Sequence, residues 1–298
     1  MGARNSKASG AEIVAAAMQG DAALVEHLLT TGVAPGAIDG EGNTALGAAC
    51  FSGAGDVVET MLAAGAAVEH RNKIGTTPLW LASGYGRTEI TARLLARGAD
   101  VHAPNHNGDS PLLAASSRGH TAVVQALLAA HASPAAANKS GDTPLLSAVA
   151  SGHVSLVPLL LAAGADPSTA NVRGVFPLGA AASRGCVETV SALLAASADI
   201  TACDLNGTRP LALAAFCGNT DVTRELIAAT RAAGIDVDHR DGSGATALWL
   251  AASAGHGADV ELLLGAGAAK DAANGGAVTA LRAAENNGHP ACVALLQR

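Results

Sequence analysis

Ten histidines and five cysteines are the residues in this 298-residue chain whose types most readily do chemistry. His120, His153, His256 and His289 each directly follow a glycine, and imidazoles so placed could serve acid–base catalysis or ligate zinc. Cys50, Cys186, Cys203, Cys217 and Cys292 include no C-x-x-C pair, and their odd number suits free thiols in a reducing compartment better than a disulfide framework. No Ser, His and Asp constellation stands out for nucleophilic work. "GSGATA", Gly242 to Ala247, fits the Gly-x-Gly-x-x-Ala form of a dinucleotide loop, which needs a strand before it in a βαβ unit. At the start, "MGARNSKASG" places Gly2 and Ser6 in the M-G-x-x-x-[ST] spacing of an N-myristoylation substrate, with Lys7 a favourable neighbour. Asn138-Lys139-Ser140 and Asn206-Gly207-Thr208 match the glycosylation sequon but read as turns.

The elements that must carry these residues are constrained by composition. Hydrophobic residues make up 49% of the chain, aromatics only 2% and charged residues 14%, so the core must be thin and built from Ala, Leu and Val. That favours close-packed helices over one large globular centre. The net charge of −7, with basic residues scattered singly, argues against a nucleic-acid surface. The apolar run Val154 to Ala165 is about twelve residues, short of the ~20 that span a bilayer. With no secretory apolar segment near the start, a cytoplasmic location is expected.

Self-comparison at a shift of 33 organises the chain. Units begin at Asp39, Asn72, Asn105, Asn138, Asn171, Asp204, Asp241 and Asn274, each an Asp or Asn suited to a turn. Glycine follows three places later except at Ala277, and then a Thr-Pro-Leu-like helix start, complete at Thr77-Pro78-Leu79 and Thr143-Pro144-Leu145. A second glycine column runs Gly53, Gly86, Gly119, Gly152, Gly185, Gly218, Gly255 and Gly288, and it is this column that the four histidines follow. A second helix then carries apolar residues at i, i+3, i+4 spacing, as in Val123-Val124 with Leu127-Leu128, and closes on Gly-Ala-Asp or a variant.

This pattern resembles the ankyrin repeat, most fully in "NKSGDTPLLSAVASGHVSLVPLLLAAGADPSTA", Asn138 to Ala170, and the resemblance covers residues 39 to 298. It implies an all-α, ankyrin-type helix-turn-helix solenoid with β-hairpin-like loops, about eight repeats plus an N-terminal cap. The expected boundaries are a flexible tail at 1–8, an N-terminal capping half-repeat at 9–38, and seven repeats at 39–71, 72–104, 105–137, 138–170, 171–203, 204–240 and 241–273. A C-terminal capping repeat closes the chain at 274–298. The resemblance also implies a non-enzymatic scaffold that binds a partner protein, with no cofactor and no metal, and a monomer is expected. The alternative is an adaptor tethered reversibly to membrane, which holds only if Gly2 is myristoylated, because one acyl chain binds membrane marginally.

In this frame the histidines after glycine are expected to cap the second helix. Equivalent places in stacked repeats lie roughly 10 Å apart, too far to share a zinc easily. The family's His after Thr-Pro-Leu ties neighbouring loops together, but here Gly47, Trp80, Leu113, Leu146, Gly179, Ala212, Trp249 and Arg282 stand in its place, and apolar contact is expected instead. His131 and Ser197 replace the glycine that ends the second helix, so strain is expected there. The spacing of 37 between Asp204 and Asp241 predicts a second helix longer by about one turn. Pro158 is expected to lie near the first turn of a helix beginning just after His153, bending it without breaking it.

All six aromatics, Phe51, Trp80, Tyr85, Phe176, Phe216 and Trp249, fall in the hairpin-plus-first-helix half of their units. In an ankyrin-like stack that half forms the concave side, and solenoids bind partners there. Phe51, Tyr85 and Phe216 are expected to face the groove with Arg118 and Arg184, while Lys73, Ile74, His106, Lys139 and Arg173 sit at hairpin tips. Phe176 and the two tryptophans could equally fill gaps beside small neighbours.

Overall fold

The computed structural model describes the backbone of residues 2–298 and the side chains of residues 10–298. The lipidation candidate Gly2 and most of the expected tail at 1–8 therefore lie outside the described side chains, and Met1 outside the described residues altogether. Among the described residues every regular element is a helix. The chain opens with α1 (Gly2–Gln19) and α2 (Ala22–Thr30). Helix pairs follow as α3 (Ala45–Ser52) and α4 (Gly55–Ala63), α5 (Pro78–Gly84) and α6 (Thr88–Ala96), then α7 (Pro111–Ser117) and α8 (Thr121–Ala129). Next come α9 (Pro144–Ser151) and α10 (Leu156–Ala162), α11 (Pro177–Arg184) and α12 (Val187–Ala195), and α13 (Pro210–Cys217) and α14 (Thr220–Ala232). The last pairs are α15 (Ala247–Ala254) with α16 (Gly257–Gly265) and α17 (Ala280–Asn286) with α18 (Pro290–Leu296). None of these helices is long and apolar enough to cross a membrane.

The chain forms two compact units, residues 1–147 and 148–298. In the N-terminal unit α1, α3, α5 and α7 pack successively side by side, and α2, α4, α6 and α8 do the same. In the C-terminal unit α11, α13, α15 and α17 form one such row and α10, α12, α14, α16 and α18 the other. Buried Leu46, Leu79 and Leu112 line the first row of the N-terminal unit, and Val57, Ile90 and Val123 face them from the second. Burial of each such side chain contributes ~1.5–3 kcal/mol, and the many buried alanines let the rows approach closely.

The recurrent Asp or Asn opens an Asx turn in every hairpin. Its side-chain oxygen accepts two backbone N–H bonds, as in Asn138 with Ser140 at 3.0 Å and Asp142 at 2.9 Å. Paired strands do not develop; isolated bridges at Ile38 with Thr44 and Ala273 with Thr279 are what the hairpin-like loops contain. First helices start on a Thr or Ser cap except α11 and α13, which start on Phe176 and Arg209; Thr77 is an example, its hydroxyl accepting the Trp80 N–H at 3.1 Å. Second helices end in a six-to-one backbone bond, such as Ala132 N–H to Leu127 C=O at 2.9 Å. The turn residue there needs a left-handed conformation, and His131 and Ser197 adopt it at φ 63 without being glycine, as their positions predicted. Helix α14 is 13 residues long against nine in α12 and α16, so the extra residues do lengthen the second helix.

Three expectations need correction. Helix α10 begins at Leu156, not just after His153, because Pro158 has no N–H to give Val154; Val157 N–H takes that carbonyl at 3.1 Å in a tightened turn, while Pro158 does lie in the first turn and the helix runs on unbroken through it. His120, His256 and His289 do not cap their own helices, each making no side-chain cap bond. His120 Nε2 instead donates to Gly84 C=O at 3.1 Å and His289 Nε2 to Ser253 C=O at 3.1 Å. Arg87 and Asn219, at the same place in their repeats, likewise donate to Phe51 C=O and to Ala182 and Ser183 C=O. Each therefore satisfies the open carbonyls at the C-terminus of the preceding first helix.

The third correction concerns the loops, which are hydrogen-bonded to one another. Trp80 Nε1 donates to Asp109 C=O at 2.9 Å and Trp249 Nε1 to Val278 C=O at 3.0 Å. An indole thus does between loops what apolar contact was expected to do.

Candidate interaction face

On the hairpin-and-first-helix side of the N-terminal unit, aromatic and cationic side chains from three successive repeats meet. The Phe51 and Tyr85 rings lie 4.3 Å apart between centroids at 64°, an edge-to-face pair. Arg118 lays its guanidinium carbon 5.1 Å from the Tyr85 centroid and 5.5 Å from that of Trp80. Gly84 makes this possible, because a Cβ there would stand 2.6 Å from Arg118 Nη1. Arg87 holds the Phe51 carbonyl from the next repeat, which fixes the ring's backbone. Trp80 is buried, Phe51 half-buried, and Tyr85 and Arg118 exposed, so the cluster has a buried floor and an open upper surface.

Lys73, His106 and Lys139 occupy one place in successive hairpins and are all exposed, as is Ile74 beside Lys73. Their backbones are joined, Lys73 N–H to Glu41 C=O at 3.1 Å, His106 to Ile74 at 3.0 Å and Lys139 to Asn107 at 2.9 Å. The tips therefore form a row held at fixed spacing. Lys73 also pairs with Glu41 at 3.8 Å, but both are well exposed and such a pair contributes little.

In the C-terminal unit Arg173, Arg184 and Phe216 are exposed. Among the described residues Phe216 makes no ring pair, so it is not drawn into a cluster as Phe51 and Tyr85 are. Phe176 is buried at 2% exposure and is a wall, while Trp249 is half-buried. Two exposed tip residues, Val172 at 68% and Leu205 at 76%, were not singled out from sequence. The signal was present, since both share the hairpin place of Lys73, His106 and Lys139.

Among the described residues no three His, Cys, Asp or Glu side chains come together as a metal would require. Burial pushes the Cys50 and Cys292 thiols up, toward the unreactive protonated form. "GSGATA" lies across a hairpin and a helix start, with Ser243 N–H and Ala245 N–H bound to the Asp241 carboxylate and no strand before it.

The family model described as "Ankyrin repeats (3 copies)" matches residues 13–105, 86–171 and 166–241, and the model described as "Ankyrin repeat" matches 243–275. The chain belongs to the ankyrin repeat family. Repeats of this family make a protein–protein interaction scaffold and are in general non-enzymatic modules. No curated protein matches the chain.

Proposed function

We propose that this scaffold holds a protein partner on the concave side formed by its hairpins and first helices. The observation that carries the reading is the cluster of Phe51, Tyr85, Trp80 and Arg118, aromatic and arginine side chains of the kind that dominate binding energy at interfaces. Lys73, Ile74, His106 and Lys139 stand exposed on hairpins of the same unit, and Arg173, Arg184 and Phe216 offer further contacts on the C-terminal unit. The chain acts in this reading as a cytoplasmic monomer without a catalytic step. Affinity capture from an extract of the native cells, comparing the wild type with a Phe51→Ala, Tyr85→Ala, Phe216→Ala variant, tests it. The variant loses the partner that the wild type retains; equal retention removes the assignment. The alternative tether rests on Gly2 and Ser6 alone, and intact-mass analysis of the native protein decides it, an unmodified Gly2 removing the tether.

A further inference from the structure

The C-terminal unit contains a hollow of about 300 Å³ beside α11, walled by Val175, Phe176, Gly179, Ala180 and Leu213, with Arg184 at its rim. That volume is at the low end for ligand sites, room for one large side chain (~300 Å³ and above). The same place in other repeats holds apolar side chains of differing size, buried Leu113 and Leu146 in two repeats and an indole in two others. Three repeats before Gly179 stands Trp80, and two repeats after it stands Trp249. Both tryptophans follow the same plan, with a Thr cap accepting the backbone N–H, 3.1 Å from Thr77 and 3.2 Å from Thr246, and an indole N–H bound to the next hairpin.

Repeat 171–203 departs from the plan at both residues. Phe176 replaces the capping Thr, and α11 has no side-chain cap bond. Gly179 stands where Trp80 and Trp249 do in two other repeats, and the Phe176 ring leans over it, 2.8 Å from where its Cβ would stand. The arginine that covers Trp80 is also missing, Cys217 standing where Arg118 does in the earlier repeat. What remains is an apolar space beside Gly179, floored by an aromatic ring. From Asn171 to Gly185 the chain carries Arg173 and Arg184 and no carboxylate. Arg184 spends Nη1 on Ala150 C=O at 2.9 Å, which leaves further guanidinium N–H groups for an acceptor. Asp204, also at the hollow, directs its Oδ1 to the backbone of Asn206 and Thr208, so its role is in its own turn.

We propose that this hollow is a socket for one tryptophan-sized aromatic side chain of a partner segment, with a carboxylate beside it that meets Arg184. The assignment rests on the reading that this side of the repeats binds protein, and it names the chemistry of what is bound.

The probes are 5-fluoro-N-acetyltryptophan, which carries indole and carboxylate, and its amide, which lacks the carboxylate, each titrated with the full chain by ¹⁹F NMR. Saturable binding of the acid is expected, several-fold tighter than that of the amide. Arg184→Gln brings the acid to the level of the amide and leaves the amide unchanged. The double substitution Phe176→Thr with Gly179→Trp rebuilds the Thr77–Trp80 arrangement, fills the hollow and abolishes binding of both probes. Arg184 is exposed, so its variant retains the fold and keeps the test informative even where the double variant does not fold. Absence of saturable binding, or an acid affinity unmoved by Arg184→Gln, overturns the proposal. Because the probes need no partner, this outcome is separate from that of the capture experiment, which reads the protein-binding assignment on its own.

Discussion

At the residue scale, Asp259 is the side chain most at odds with its surroundings. It is 1% exposed, in the place where earlier repeats hold Val57, Ile90, Val123, Leu156, Thr189 and Val222. Its Oδ2 accepts the Thr220 hydroxyl at 3.0 Å, while Oδ1 has no partner. A buried acceptor without a donor costs ~1–3 kcal/mol. Asp259→Val is therefore expected to raise stability by about that amount, read as a higher urea midpoint at unchanged slope, and a lower midpoint would show that the carboxylate has a stabilising partner. Single residues were legible in sequence where their role is backbone geometry. The Asp or Asn opening each unit and the left-handed His131 and Ser197 follow from turn chemistry alone. The tryptophans and the glycine-following His120 and His289 were misread because each spends its ring N–H on another repeat, and a contact across 29 to 36 residues is set by packing. A residue's chemistry names its donor but not its acceptor.

At the element scale, helix starts, stops and lengths came through well, because caps, prolines and left-handed turns are local. Pro158 shows the limit. The sequence places it near a first turn, yet the number of residues it excludes from α10 depends on which carbonyl the neighbouring N–H groups find. Pro158→Gln, the residue found at this place in α8, restores an N–H for Val154 C=O and is expected to start the helix earlier. Helical ¹³Cα shifts at Val154 and Ser155, together with a raised Tm, would show it. Unchanged shifts would mean that Ser155 and its neighbours, not the proline, fix the start. The first helix of repeat 171–203 is the converse case. Phe176 stands where six of the eight repeats have Thr or Ser and its helix lacks a side-chain cap, but that the ring would lie over Gly179 beside a hollow is not legible in sequence, since side-chain direction is a matter of packing.

At the scale of the whole molecule, the period of 33 made the family legible, and each of the two units stacks its helices as that period implies. The aromatic residues could be assigned to one half of each repeat, yet their division was not legible. Phe51, Tyr85 and Trp80 join one cluster through Arg118, whereas Phe216 is exposed apart from them and Phe176 is buried. Spacing fixes the column of a residue, while the size of its neighbours decides whether it meets another ring. Photocrosslinking in an extract of the native cells tests the binding assignment most directly, with benzoylphenylalanine in place of Tyr85 in one protein and of Glu89, exposed on α6, in another. The Tyr85 position is predicted to give a covalent partner adduct and the Glu89 position none; an adduct at Glu89 alone, or at neither, would contradict binding on the hairpin-and-first-helix side.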